Sequence, residues 1–275
     1  SETDAESARN AGIPMILFAN GAGYSQNISL SVGEAFATEF QAYAKYFKEL
    51  DWKVIFEDPS SVSDMEVNKL FAVAGGLSEK FLKDYKIFAK SVLKEIKTKP
   101  ISFEVFSDDF IEMEKQAKEI ASWADNVYVK IPITNTKKES SISLIKSLAK
   151  NDIKLNITAI MTLDQVKSVT SALNTNTPSI ISVFAGRIAD TGQDPIPLMK
   201  ESLNVMKTNT KSELLWASSR ELLNIFQAEE IGCHIITVTK EIISKLKFVN
   251  YDLSEYSLDT VKGFYKDALD AKFKI

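Results

Sequence analysis

The stretch DNVYVKIPIT, residues 125–134, places one lysine in a run that otherwise has the pattern of a buried strand. Side chains alternate between the two faces of a strand, so Val127, Val129 and Ile131 share one face while Lys130 lies with Tyr128 on the other. Burying an ammonium group costs on the order of several kcal/mol unless something compensates, and a lysine that loses its proton for this reason becomes a nucleophile. The stretch therefore predicts either a catalytic amine or a long side chain that reaches water.

The chain around this strand repeats one pattern, in which short β-branched runs alternate with amphipathic helical stretches from about residue 52. Such alternation implies a parallel sheet, and eight strands favour closure into a (β/α)8 TIM barrel over residues 51–275. The predicted strands are 53–57, 71–74, 101–106, 127–133, 154–160, 179–184, 213–217 and 234–238, and the predicted helices include 110–124, 163–173, 221–231 and an extra C-terminal helix within 254–273.

Residues 1–50 do not follow this pattern. They have the features of a short helix, a strand at 14–18 that ends in a glycine-rich turn, and a second amphipathic helix at 34–49. We predict a separate N-terminal appendage with its boundary near residue 51.

Polar residues recur at a fixed spacing in four consecutive strands. Glu104, Lys130, Asn156 and Ser182 are each 26 residues apart, so each strand–helix unit returns the same kind of position. The outer face of a barrel packs on helices and is apolar, so these side chains are expected on the inner face, at the C-terminal mouth. The same alternation predicts four further residues on that face: Asp58, Thr158, Trp216 and Ser218.

The composition excludes several classes of protein. A net charge of −4 provides no basic field for nucleic acid, and no apolar run is long enough to span a membrane. One cysteine excludes an internal disulfide, and one histidine argues against a His-based zinc site. We expect a cytoplasmic protein that uses no metal or cofactor and acts on a small molecule.

The chemistry expected at the mouth is that of a Schiff-base lysine. A neutral Lys130 amine would attack a sugar ketone, and the resulting iminium would draw electrons from the neighbouring C–C bond. Glu104 and Thr158 could hold the water that shuttles protons, and Asp58 could act as the acid or base at the breaking bond. The alternative is that Lys130 forms a purely structural ion pair with Glu104 or Asp58.

Two arginines indicate a phosphate site. Only three of the 33 basic residues are arginine, and Arg187 and Arg220 both follow strand ends. The planar guanidinium binds phosphate through two hydrogen bonds, and Arg220 is expected to begin a helix, where anions are favoured. The alternative is a pair of salt bridges, from Arg187 to Asp190 or Asp194 and from Arg220 to Glu221.

With these residues identified, the sequence resembles the transaldolase family, Schiff-base enzymes on a (β/α)8 barrel that include a fructose-6-phosphate aldolase branch. The resemblance covers roughly residues 52–250. It rests on ISFEVFSDDF (101–110), NVYVKIPIT (126–134), KLNITAIMT (154–162), ISVFAGRIADTG (181–192) and LLWASSRELLNIFQAEEIGCHIITVT (214–239). It implies Lys130 as the Schiff-base residue, Glu104 and Thr158 around the catalytic water, Asp58 as acid/base, Asn156 near the substrate, and Ser182, Ser218, Arg187 and Arg220 at the phosphate.

Phe184 bears on the reaction. Aldolase members of the family have tyrosine at this position and transaldolases have phenylalanine, so the resemblance implies transfer of a dihydroxyacetone unit between sugar phosphates, as in the pentose phosphate pathway. Simple aldol cleavage is the second expectation. The third is a phosphosugar-binding protein without activity, because AVAGGLSE (72–79) replaces the family's TTNPS-like segment. Family members are often dimers or larger rings, so a homo-oligomer is expected.

The first 20 residues carry a different resemblance. SETDAESARNAGIPMILF (1–18) is similar to the last catalytic motif of haloacid-dehalogenase-type phosphatases, yet the chain contains no DxDxT nucleophile motif. The two interpretations are a phosphatase remnant and a coincidental helix–strand appendage.

Overall fold

The computed structural model describes residues 15–18, a few positions between 86 and 97, residues 100–239, residue 242 and residues 244–274. These contain seven strands: β1 (Met15–Phe18), β2 (Ile101–Glu104), β3 (Val127–Pro132), β4 (Leu155–Ile160), β5 (Ser179–Val183), β6 (Ser212–Trp216) and β7 (Ile235–Thr239). The helices with assigned bounds are α1 (Phe110–Ala121), α2 (Ile142–Lys150), α3 (Leu163–Ala172), α4 (Ala185–Asp190), α5 (Ile196–Met206), α6 (Leu223–Glu230) and α7 (Leu253–Asp270), with a 3-10 turn at Lys245–Phe248.

The strands form one curled parallel sheet in the order β1-β7-β6-β5-β4-β3-β2. Each strand from β2 to β7 pairs with its neighbour in sequence, as strands joined by helical crossovers do. Within the described residues the sheet is open between β1 and β2. The prediction of a parallel α/β sheet is therefore confirmed. Closure into eight strands would need one more strand between β1 and β2, and the two predicted segments that could supply it, 53–57 and 71–74, lie outside the described residues.

One face of the sheet packs on the helices and forms the main core. Val129 and Ile157 are fully buried there against Met113, Leu148 and Val166 from the helices. The other face has a smaller apolar cluster and carries six buried polar side chains of the strands: Ser102, Lys130, Asn156, Thr158, Ser182 and Thr237. The assignment of polar residues to the face away from the helices is confirmed for β2 to β5.

Strand β1 joins the sheet at the far edge from β2. Met15–Phe18 pairs in parallel with β7, from Met15 opposite Ile236 to Phe18 opposite Thr239. The strand predicted at 14–18 is thus present, and it extends the same sheet instead of standing apart from it. The proposed boundary near residue 51 and the rest of the N-terminal segment lie outside the described residues.

Strand β4 contains an irregularity next to the site. Ile157 lies opposite Ile181 and Ile160 opposite Val183, so β4 fits one more residue than β5 into this interval. Ala159 takes up the extra length with φ of 61°, in the left-handed region that is uncommon for residues with a side chain. This bulge returns Ile160 to the helix-covered core.

No helix among the described residues has both the length and the apolar composition needed to cross a bilayer.

Candidate active site

Lys130 lies near the carboxyl end of β3, on the inner face of the sheet, which is the face away from the helices. The residue is only 8% exposed. Strand register places it directly between Glu104 of β2 and Asn156 of β4. Its Nζ atom is 3.5 Å from Oε2 of Glu104, whose side chain is 32% exposed. The sequence repeat of 26 residues thus corresponds to three adjacent residues across the sheet.

The contact between Lys130 and Glu104 is the ion pair that was expected as the alternative to catalysis. Its length exceeds that of a strong charge-assisted hydrogen bond, and only the lysine is buried. A carboxylate that is close to an amine and still open to solvent can also exchange protons with it through water. The geometry is therefore compatible with both roles for Glu104.

A chain of hydrogen bonds fixes the side chain of Asn156. Its Nδ2 atom donates to Oγ of Ser102 at 3.0 Å, and Oγ of Ser182 donates to its Oδ1 atom at 2.6 Å. All three residues have 0% exposure. The contacts join β2, β4 and β5, and this arrangement leaves Asn156 one amide hydrogen and one carbonyl lone pair beyond them.

Thr158 follows Asn156 by two residues in β4, so it lies on the same face of the strand, next to the bulge. The residue is 3% exposed, and its Oγ1 atom is buried without a hydrogen-bond partner. A buried hydroxyl in this condition costs on the order of 1–3 kcal/mol, and such groups in proteins usually bind a water or a ligand. Thr158 is therefore suited to hold a polar molecule on the inner face.

The polar residues rest on a small apolar cluster. Tyr128 is 5% exposed and belongs to this cluster with Ile180, Leu215, Ala217 and Ile235. Burial, assisted by the carboxylate of Glu213, raises the pKa of Tyr128 to about 12. The phenol therefore stays protonated at neutral pH and does not act as a base. Phe184 packs partly against the same cluster at the end of β5.

The two arginines lie at the rim of the site, formed by α4 after β5 and by the segment 217–222 after β6. Their contacts differ in part from those expected. Arg187 is exposed, with its guanidinium 5.2 Å from the ring centre of Phe184. Arg220 is exposed and forms an ion pair with Asp190, so the predicted partner Glu221 was wrong. Both arginines remain accessible to a ligand.

The start of the helix after Arg220 was also wrong. α6 begins at Leu223, and Oδ1 of Asn224 accepts hydrogen bonds from the backbone N–H groups of Arg220 and Glu221, at 2.9 and 3.2 Å. These two N–H groups already have an acceptor. Within Arg220 itself, the backbone N–H is therefore not available to a phosphate, and the guanidinium is the group that could bind it.

Gly186 lies where α4 closely approaches the segment after β6. Its backbone N–H donates to the carbonyl of Ala217 at 3.2 Å. A Cβ atom at this position would lie 1.6 Å from the Ser218 carbonyl oxygen and 3.4 Å from Cγ of Arg220. Any residue other than glycine would push the segment after β6 away from α4, so Gly186 sets the distance between the two arginine-bearing segments.

Two predictions about β6 need correction. Trp216 has 0% exposure and belongs to the helix-covered core, so it does not share the inner face with the site. Ser218 lies beyond the end of the strand with φ of 65°, and its N–H donates to Oγ1 of Thr237 at 3.0 Å. The alternation of a strand does not apply to Ser218, since the backbone turns before reaching it.

Other candidates lie elsewhere. Asp58 is outside the described residues. A cleft of about 720 Å³ includes Ser212 and His234, at the amino ends of β6 and β7, and is therefore at the opposite end of the sheet from Lys130. Burial raises the pKa of the Cys233 thiol to about 12, which excludes a thiolate nucleophile.

Sequence reasoning did not identify two residues that take part in the site. Ser102 was given no role, although its hydroxyl accepts a hydrogen bond from the Asn156 amide. It precedes Glu104 by two residues, so the period of a strand could have identified it. Asp190, expected beside Arg187, pairs with Arg220, and the sequence contains no signal for a partner 30 residues away.

Comparison with known proteins identifies a matching family and several named relatives. Residues 81–275 match the family model described as Transaldolase/Fructose-6-phosphate aldolase. A protein of Listeria monocytogenes named "Probable transaldolase 2" is 32% identical over 219 residues, which cover 77% of this chain and 94% of the relative. Relatives named "Probable transaldolase" include one from Streptococcus agalactiae, 31% identical with 77% and 95% coverage, and one from Thermoanaerobacter sp., 28% identical with 78% and 97% coverage.

The family match covers more than half of the chain and contains Lys130, Glu104 and the other described residues of the site. The chain therefore belongs to the transaldolase/fructose-6-phosphate aldolase family.

Proposed function

We propose that the protein transfers a dihydroxyacetone unit between sugar phosphates through a Schiff base on Lys130. The observation that carries the proposal is the position of Lys130, 8% exposed on the inner face, 3.5 Å from Glu104 and between Glu104 and Asn156 in register. A lysine needed only for an ion pair does not require further buried polar residues on the neighbouring strands.

In the first half of the reaction the neutral Lys130 amine attacks the C2 carbonyl of a ketose phosphate. The carbinolamine loses water to give an iminium, with Glu104 transferring protons through a water held by Thr158. Asp58 then removes the proton from the C4 hydroxyl, the C3–C4 electron pair moves into the iminium, and an aldose phosphate leaves. The products of this half are the free aldehyde and a three-carbon enamine on Lys130.

In the second half the enamine carbon attacks the aldehyde of an acceptor sugar phosphate, and the acceptor oxygen takes the proton back from Asp58. Water then adds to the iminium and releases the new ketose and the free amine. The iminium is the electron sink throughout, so the proposal needs no metal ion. Such a reaction fits the pentose phosphate pathway, and we place it in the cytoplasm.

The phosphate of either sugar is assigned to Arg187, Arg220 and Ser218. The rim is exposed, so the arginines can receive a charged group without a prior loss of solvation. Arg220 would exchange its carboxylate partner Asp190 for the phosphate. Phosphate specificity thus resides on segments that are separate from the strands carrying Lys130 and Asn156.

Phe184 favours transfer over cleavage. A phenyl ring offers no hydroxyl to hold water or to protonate the enamine, so the enamine persists until an aldehyde arrives. Aldolase activity, in which the three-carbon unit is released as dihydroxyacetone, is the second candidate because the matched family includes both reactions.

The experiment that tests the proposed function follows both products. Purified protein is given fructose 6-phosphate alone, and then with an aldose phosphate acceptor. Transaldolase activity predicts a new ketose phosphate only with the acceptor and little free dihydroxyacetone without it. Free dihydroxyacetone without acceptor would favour the aldolase, and phosphosugar binding with no product in either case would favour the non-catalytic alternative.

We also propose that the sheet closes into an eight-stranded barrel. β1 already occupies the position beside β7, so only one further strand is needed between β1 and β2. Either 53–57 or 71–74 could supply it. Hydrogen exchange of the Met15–Phe18 amides as slow as that of β7 would support β1 as a barrel strand, and rapid exchange would contradict it.

We also propose that the protein forms a homo-oligomer in which α7 provides the contact surface between copies. Every residue of α7 is exposed, and an aromatic cluster of Phe248, Tyr251 and Tyr256 fixes its start. Six large apolar or aromatic side chains, 46–80% exposed, lie on one side of it: Leu253, Leu258, Val261, Phe264, Tyr265 and Leu269. At roughly 100–180 Å² each they expose about 800 Å², the area that one partner contributes to a standard stable interface.

The charges beside this apolar face are self-complementary. In an antiparallel pair of α7 helices centred on Val261, Leu253 faces Leu269 of the second copy, and Glu255 lies within one residue of the level of Lys266. Light scattering should therefore show a dimer or larger assembly that Glu255→Lys or Lys266→Glu weakens and the double reversal restores. A wild-type monomer, or no restoration, would contradict this pairing.

A further inference from the structure

We infer that Ser102 is a positioning residue that acts through Asn156, and that Ser182 serves the same amide rather than the phosphate. The inference rests on the proposed function, because it assigns these residues to the Lys130 chemistry. Neither sequence reasoning nor the comparisons give Ser102 a role.

The contacts of Asn156 show why it needs two partners. Rotation about the last side-chain bond of asparagine is broad, so packing alone sets the amide plane poorly. One serine hydroxyl contacts the nitrogen at 3.0 Å and another contacts the oxygen at 2.6 Å. Contacts at both ends of a planar group fix its rotation, and the amide has one defined orientation for as long as both hydroxyls remain.

The location of the trio connects this orientation to catalysis. Asn156 is the register neighbour of Lys130, and all three members of the trio have 0% exposure. The remaining amide hydrogen and carbonyl lone pair are available to a hydroxyl of the ketose once C2 is bonded to Lys130. Displacing such a group by about 1 Å reduces rates by up to about 100-fold.

Ser182 is better assigned to this trio than to phosphate. Its hydroxyl proton is donated to Asn156, and the residue is completely buried. The phosphate candidates Arg187 and Arg220 are instead exposed at the rim. The buried serine and the exposed arginines therefore belong to different parts of the substrate site.

The test is a double-mutant cycle with Ser102→Ala, Asn156→Ala and the double variant, measured as kcat and KM for transfer and as the rate of borohydride trapping. We expect Ser102→Ala to lower kcat and the trapping rate by roughly 10- to 100-fold with KM changed by less than about threefold. In the Asn156→Ala background it should have no further effect, because the residue it positions is gone. Ser102→Thr, which keeps the hydroxyl, should recover most of the rate.

Ser179→Ala is the matched control. Ser179 is 3% exposed and forms a hydrogen bond of 2.7 Å with Ser212. It alternates with Ile180 and so lies on the helix-covered face of the sheet, opposite to the face that carries Lys130, and its alanine variant loses a buried serine contact outside the site. It should leave kcat unchanged. Equal losses in both serine variants, or additive losses in the cycle, would refute the role of Ser102. Absence of any adduct in the wild-type protein would refute the proposed function itself.

Discussion

The inner face of β2 to β5 and the rim formed by the segments after β5 and β6 differ in burial and in how their side chains are held. On the inner face Lys130, Asn156 and Ser182 are buried and held in place by neighbouring strands. At the rim Arg187 and Arg220 are exposed, and Arg220 pairs with a carboxylate. The formation and cleavage of covalent bonds require reacting groups that are fixed and shielded from water. A charged phosphate instead requires a site that is accessible from solvent. Substitutions in the two regions should therefore change different kinetic constants.

Lys130→Met should have the largest effect. Removing the amine eliminates the covalent intermediate, so we expect kcat to fall by about 1,000-fold or more. The fold should persist, because methionine fills a similar volume and Glu104 retains access to solvent. Steady-state transfer assays and circular dichroism measure the two quantities. Lys167→Met is the matched control, since Lys167 is on the exposed side of α3, and normal activity in Lys130→Met would refute the assignment.

Arg220→Ala tests the rim. Loss of a bidentate contact should raise KM for phosphorylated sugars by roughly 10- to 100-fold and change kcat little. The same variant should not affect the unphosphorylated sugar. Asp190→Asn is the informative control, because it releases Arg220 from its partner and should leave KM unchanged or lower it. A fall in kcat with constant KM would mean that Arg220 belongs to the chemical step.

Burial of Tyr128 on the inner face should make the stability of the folded protein depend on pH in the alkaline range. Its folded-state pKa of about 12 exceeds the ordinary value of 10.0, so the folded protein keeps the proton over a range in which the unfolded chain loses it. Its contribution to stability is complete below about pH 10 and declines between about pH 10 and 12, by about 2–3 kcal/mol in total.

Urea unfolding at pH 8 and pH 11 measures this dependence. Wild-type protein should lose more stability between the two than Tyr128→Phe does. Tyr256→Phe serves as the control and should behave like the wild type, because Tyr256 is 46% exposed and lies outside the six-residue apolar face of α7. Identical pH dependence in all three proteins would show that burial of Tyr128 has no effect on its ionisation.

Phe184→Tyr should have the smallest effect and lies where the two regions meet. The ring packs against the inner apolar cluster and contacts the Arg187 guanidinium. A phenol there could hold water and protonate the enamine, so the share of free dihydroxyacetone should rise by roughly two- to tenfold. The product ratio with a limiting acceptor measures it. An unchanged ratio would remove Phe184 as a determinant of the reaction.

The inner face could be predicted from sequence because a parallel sheet with regular crossovers repeats its geometry. Glu104, Lys130 and Asn156 have the same spacing in the chain and are in register across β2, β3 and β4. Alternation within a strand then assigns each residue to a face. The repeat and the alternation are both local properties, which a single sequence contains.

The rim could not be predicted in the same way. Ser218 has positive φ beyond the end of β6, and α6 begins three residues after Arg220, so neither follows a strand or helix period. Trp216 was assigned to the wrong face because the alternation was continued to Ser218 across that turn. The partner of Arg220 is set by the close approach at Gly186, which depends on tertiary structure.

Borohydride trapping identifies the residue that forms the Schiff base. Protein is incubated with fructose 6-phosphate, reduced, digested and analysed by mass spectrometry. We predict one modified lysine, Lys130, with a reduced adduct that shrinks to the three-carbon unit once the aldose phosphate has left, and no adduct in Lys130→Met. Modification of another lysine, persistence of the adduct in Lys130→Met, or turnover without any adduct would contradict this prediction.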